Sequence, residues 1–169
     1  MKWLNTTGGS FICGDAEVAS QWMGVFGSSQ ELAFNDYERA CEISEYIEVI
    51  QCNNGLLAVL GDEPLQSAFF CNADKKPCVV RLVYRKVAYS DSFIFELSDI
   101  KQIGPSIKIP IWSGSLLLLD SSSPYANLDR DGDHINVTPG DYVVTAEKFE
   151  RPGEISLIIH RFLRVGSSS

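Results

Sequence analysis

The chain has 169 residues, 45% hydrophobic and 21% charged, with a formal net charge of −8. That length fits one domain whose core needs no metal or disulfide staple. Its longest apolar runs, Leu56–Leu60 and Leu116–Leu119, fall well short of the ~18 residues that a membrane span requires.

The N-terminal Met1-Lys2-Trp3-Leu4-Asn5 lacks the apolar stretch of a secretory signal, so a cytoplasmic protein is expected. After the Gly8-Gly9 break, Ser10–Cys13 reads as a short buried strand. Asp15 is placed to cap a helix running to about Gly24, with Val18, Ala19 and Trp22 on one side. Gly24 to Ser29 reads as a loop. Asp36 is expected to cap a second short helix whose apolar side holds Tyr37, Ala40 and Cys41.

From Glu45 the period changes to two: Ile47, Val49 and Gln51 face one way, and Tyr46, Glu48, Ile50 and Cys52 the other. Asn53-Asn54-Gly55 then predicts a hairpin, because Asn-Gly tolerates the positive φ values of a type I′ turn. The return strand, Leu56–Leu60, is apolar on both faces and belongs inside a sheet. Gln66–Cys71 and Cys78–Lys86 read as strands around an exposed turn at Asn72–Pro77, and Ser92–Leu97 as another. Gly104-Pro105 marks a connection within the poorly patterned stretch 87–110. Ser115–Leu119, Asp141–Phe149 and Glu154–Phe162 complete the strands, the last two punctuated by Pro139-Gly140 and Pro152-Gly153. Gly55–Pro64 and Gly114–Pro124 echo each other, each an apolar strand ending in an acidic turn.

The expected fold is α+β and predominantly β, with antiparallel sheets in a sandwich or barrel-like arrangement and two short helices. Residues 1–165 form a single domain, with possible lobes at 1–103 and 104–165, and residues 166–169 a frayed tail.

Motifs that suggest chemistry are weak. Asn127, Asp129, Asp131 and Gly132 match the start of a calcium loop, but Thr138 stands where a bidentate glutamate is needed, so a solvated turn is expected. Ser98-Asp99-Ile100-Lys101 fits S-x-x-K without its companion motifs, and no G-x-S-x-G accompanies His134 or His160. Asp62-Glu63 are adjacent, and neighbouring strand residues point to opposite faces, which suits paired acid/base work poorly. Cys13, Cys41, Cys52, Cys71 and Cys78 are odd in number and lack C-x-x-C spacing, as expected of buried reduced thiols. No catalytic residue, cofactor or metal is expected.

Trp3, Gly8-Gly9, Trp22 with Gly24, Asp36-Tyr37-Glu38-Arg39-Ala40-Cys41, Tyr46, Gly55 and Leu60-Gly61-Asp62-Glu63-Pro64 together resemble the immunity protein 21 family. Val80–Tyr84, Leu116–Asp120 and Pro139–Glu147 extend the likeness, although Leu82 stands where the family more often has tryptophan and Ser10 where it tends to have proline. The resemblance implies a bacterial antidote that acts by binding one toxin domain encoded by a neighbouring gene, with Trp3, Trp22, Tyr37, Tyr46 and Gly55 as core and turn residues.

The charge distribution adds a mechanism to that implication. Residues 1–50 hold Asp15, Glu17, Glu31, Asp36, Glu38, Glu42, Glu45 and Glu48 against Lys2 and Arg39, a balance of −6, which leaves −2 for the other 119 residues. An acidic surface repels nucleic acid and is steered into a basic cleft. Glu38, Glu42, Glu45, Glu48, Asp62 and Glu63 are the expected partner-binding charges. Neither nucleic acid nor membrane is an expected partner, and a monomer is favoured. The alternative is a small-ligand or glycan-binding module, which requires Trp3, Trp22 and Trp112 to be exposed in a groove.

Overall fold

The computed structural model describes residues 2–61, 63–71, 76–86 and 100–166. Strands that are apolar on both faces need cover on both sides, and this requirement builds the layers. The first sheet runs β2 (Glu48–Cys52), β3 (Gly55–Leu60), β1 (Phe11–Asp15), β8 (Ser115–Asp120) and β9 (Gly132–Asn136), all antiparallel. The second runs β4 (Gln66–Cys71), β5 (Pro77–Arg85), β11 (Ile155–Arg164) and β10 (Gly140–Arg151). Along its far edge β10 pairs in turn with β7 (Ile107–Ile111) and β6 (Lys101–Gln102). Leu4 bridges Ser67 beside β4.

One face of each sheet meets between them. Phe11, Cys13, Ala58, Leu60, Leu116 and Leu118 pack there against Phe69, Val79, Val144, Ala146 and Phe162. Each fully buried Leu or Phe contributes roughly 1.5–3 kcal/mol. The outer face of the first sheet, with Ile12, Leu57, Val59, Leu117 and Leu119, is covered by Ala19, Trp22, Ala40 and Ile43 from the helical segments. On the outer face of the second sheet, Trp3, Leu82 and Ile100 pack over Val80, Phe149, Leu157 and Ile159.

The expected predominantly β, α+β architecture is therefore present, as a face-to-face sandwich with a helical layer on one side. The helices are α1 (Ala16–Ala19), α2 (Asp36–Cys41) and α3 (Leu128–Asp131). The predicted first helix stops after one turn and continues as a short 3₁₀ turn at Gly24–Phe26. The cap of α2 is Asn35, one residue earlier than expected. Its side chain accepts from Glu38 N at 2.7 Å, and Glu38 closes a capping box by accepting from Asn35 N at 2.9 Å. Cys41 is exposed, not buried. A six-residue helix buries only Asp36 and Ala40, one turn apart, and Cys41 lies about 100° further round.

The β2–β3 hairpin forms where expected, and Ile47 and Val49 face the inter-sheet core while Ile50 and Cys52 face the helices. Its turn residues are Asn53 and Asn54, however, and only Asn53 has positive φ, +47°, so the turn is not type I′. Gly55 opens the return strand instead, because a Cβ there would collide with the Val18 side chain.

The echoing segments flank β1 on either side and run in the same direction, with Phe11 opposite both Leu60 and Asp120. Each sheet draws strands from both sides of residue 104. Strands β6, β7 and β9 were not expected; they are short, and their alternation is interrupted by Pro110 or by charged residues. The expectations at Ser92–Leu97, at positions 72–75 and for the tail at 167–169 lie outside the described residues, as do Ser98 and Asp99.

Candidate functional site

The helical layer over the first sheet is shaped by three buried carboxylates, each fully engaged. Asp15 accepts from Glu17 N at 2.8 Å to cap α1, and from Trp112 N and Ser113 N at 2.6 and 2.8 Å. Asp120 accepts from Thr7 N at 2.7 Å and from Ser122 N and Oγ at 3.0 and 2.9 Å. Asp36 accepts from Met23 N, from Ser29 N and Oγ, and from Arg39 Nη1, all between 2.8 and 2.9 Å. Two of the eight acids counted in residues 1–50, Asp15 and Asp36, are thus structural.

The expected partner-binding charges divide into groups. Glu38 is exposed and holds the capping box; Glu42 is exposed where α2 ends. Half-buried Glu48 accepts from Ser44 N and Glu45 N at 2.9 and 3.1 Å, bracing the turn that leads into β2. Glu45 and Glu63 come together, lining a cleft of about 200 Å³ with Tyr46 and Arg81. Arg81 is buried and donates to the Glu63 carbonyl. Tyr46 is 46% exposed at this cleft, where a core residue was expected. Asp62 lies outside the described residues.

A second surface feature, the connection between α1 and α2, has no signal in the residue pattern. It exposes Phe26 (72%), Leu32 (57%) and Phe34 (55%), with Met23 and Val25 beside them. Its backbone is nonetheless tied down. Val25 N donates to Ser122 O at 3.1 Å, Asp36 N to Gly27 O at 2.9 Å, and Gln30 Nε2 to Asn53 O at 3.1 Å. Gly24 takes φ +58° with its α-carbon against the Ser122 carbonyl, where a Cβ would clash.

The motifs that suggested chemistry are dispersed. Residues 125–131 form a 3₁₀ turn and α3, not an open loop. Asp131 there takes two 2.8 Å bonds from Arg130 and one of 2.6 Å from Ser123 Oγ. The Arg130 bond holds the Asp131 carboxyl below its ordinary pKa. Among the described residues no three His, Cys, Asp or Glu side chains are grouped to hold a metal ion.

His160 is fully buried beside Arg81, and neither ring nitrogen has a hydrogen-bond partner. Burial, reinforced by the Arg81 charge, lowers its pKa well below 6.5. His134 is exposed. An open groove of about 510 Å³ passes Lys76, Tyr142, Phe162 and Arg164. Its Tyr142 hydroxyl donates to Thr138 O at 2.6 Å and its Arg164 Nε to Pro139 O at 2.9 Å.

Trp22 is buried with Nε1 donating to Ser121 O at 3.0 Å, Trp3 is half-buried, and Trp112 is 64% exposed. The three indoles therefore do not line one exposed groove. No helix among the described residues is long and apolar enough to cross a membrane.

The structure thus presents a helix-covered β-sandwich whose buried polar groups chiefly shape its own loops, with acidic and aromatic side chains outward. Residues 2–154 match the family described as immunity protein 21, and the chain belongs to that family. No match was found among curated proteins or among solved structures.

Proposed function

We propose that the chain is an immunity protein that binds and neutralises one toxin domain encoded by a neighbouring gene. It acts in the cytoplasm as a monomer in a one-to-one complex, and it inhibits by occlusion, not by catalysis. The observation that carries the reading is the family match over residues 2–154. The acidic surface supports it: a basic active-site cleft would attract Glu38, Glu42, Glu45, Glu48 and Glu63, together with Asp62. Steered association of this kind reaches on-rates near 10⁸ M⁻¹s⁻¹ at low salt over a standard interface of about 1,600 Å².

Co-expression with the neighbouring toxin domain, tagged pull-down and a growth assay test the proposal. A stable one-to-one complex that restores growth supports it. A toxin that stays lethal and uncomplexed refutes that pairing. Charge reversal of Glu42, Glu45 and Glu48 together tests the placement of the contact, which fails if affinity is unchanged.

A further inference from the structure

We infer that the loop joining α1 to α2, residues 20–35, is the apolar centre of the toxin contact, and that it enters an apolar socket ringed by basic side chains. The inference rests on the toxin-binding reading above.

Phe26, Leu32 and Phe34 are each more than half exposed, and the loop that carries them is tied at Met23 and Ser29 to the buried Asp36 carboxylate. The fold gains little from holding these side chains in water. A binding surface gains, because a preformed loop avoids the ordering cost of association. Phe34 sits just before the Asn35 cap, where an apolar residue commonly folds back onto the fourth helical residue. That residue is Arg39, bonded to Asp36 and to the Gln51 carbonyl, so Phe34 remains 55% exposed.

Charge selects the occupant. Glu17, Glu31, Glu38 and Glu42 are exposed on this layer, and the only cation between Trp3 and Asp74 is Arg39, already committed. Aromatic anchors at the centre and polar side chains toward the rim are the usual anatomy of a protein interface. A second copy of the chain would set acid against acid across a two-fold contact. An anionic lipid surface would repel the same rim.

The test measures binding of the purified neighbouring toxin domain to the wild-type chain, to the triple variant Phe26→Ser/Leu32→Ser/Phe34→Ser, and to the single variant Phe26→Asp. Light scattering and thermal melts accompany the binding data. The triple variant should keep its melting midpoint and bind at least about 100-fold more weakly, since truncating one hot-spot residue costs roughly 30-fold. Phe26→Asp, at the most exposed position, should weaken binding in the same direction. If wild type binds and both variants bind within threefold of it, the loop is not the contact, while the antidote reading stands. If wild type is a dimer that the triple variant dissociates without loss of toxin affinity, the loop is a self-interface and the inference is overturned. If wild type neither binds the toxin nor rescues growth, the pairing with that toxin, on which the inference rests, is refuted.

Discussion

Ser29 donates both its backbone amide and its hydroxyl to Oδ1 of Asp36, at 2.8 and 2.9 Å. The same carboxylate accepts from Met23 N and Arg39 Nη1, so one fully buried side chain joins the start and the middle of the exposed loop to α2. Asp36→Ala strands those donors and leaves Arg39 without its ion pair. Breaking a buried pair typically costs about 3–5 kcal/mol. Urea unfolding should show a loss of that order; a loss below about 1 kcal/mol would mean that solvent readily replaces the carboxylate.

Gly55 and Val18 hold α1 against the hairpin. Gly55→Ala drives a methyl group into the Val18 side chain and should destabilise the fold by about 1–3 kcal/mol. Adding Val18→Ala should recover part of that loss, a coupling read from a double-mutant cycle. Strict additivity would show that the contact is not the cause.

The tryptophans report their environments separately. Acrylamide should quench Trp112 readily and Trp22 hardly at all. Trp112→Phe should therefore shift the remaining emission, from buried Trp22 and half-buried Trp3, to the blue and make it less readily quenched. If Trp112→Phe leaves quenching unchanged, another indole is exposed and the groove of a ligand-binding module regains support.

His160 gives a pH dependence with a definite sign. Its folded pKa lies below the unfolded value of about 6.5, so the unfolded chain binds the extra proton. Stability is complete above about pH 6.5 and falls as pH drops below it, by up to about 1.4 kcal/mol per pH unit. Arg81 faces His160 from β5, and its charge adds to the effect. His160→Leu should flatten the profile between about pH 6.5 and 5, where unfolded carboxylates titrate little. Parallel profiles for the two proteins would remove His160 as the source.

Local patterns carried much of the fold. The alternation through Ile47–Cys52, the apolar Leu56–Leu60 and the turn residues near 53 and 152 placed the β2–β3 and β10–β11 hairpins, because side-chain period and backbone preference act over a few residues. The acids were legible only as charges. The division of Glu38, Glu48, Glu45 and Glu63 into a capping box, a brace and the walls of a cleft depends on β3, β5 and α2 being folded.

The sequence by itself determined the antiparallel, mainly β architecture and the acidic character, which follow from composition and short-range order, and it carries the residues that resemble the family. Only the tertiary structure decided that Asp36 is a buried clamp, that Cys41 and Tyr46 face solvent, and that Phe26, Leu32 and Phe34 stand outward. Apolar residues in an aperiodic loop carry no signal of direction. The path of that loop is settled by groups outside it, the Asp36 carboxylate at Met23 and Ser29 and the Ser122 carbonyl at Val25.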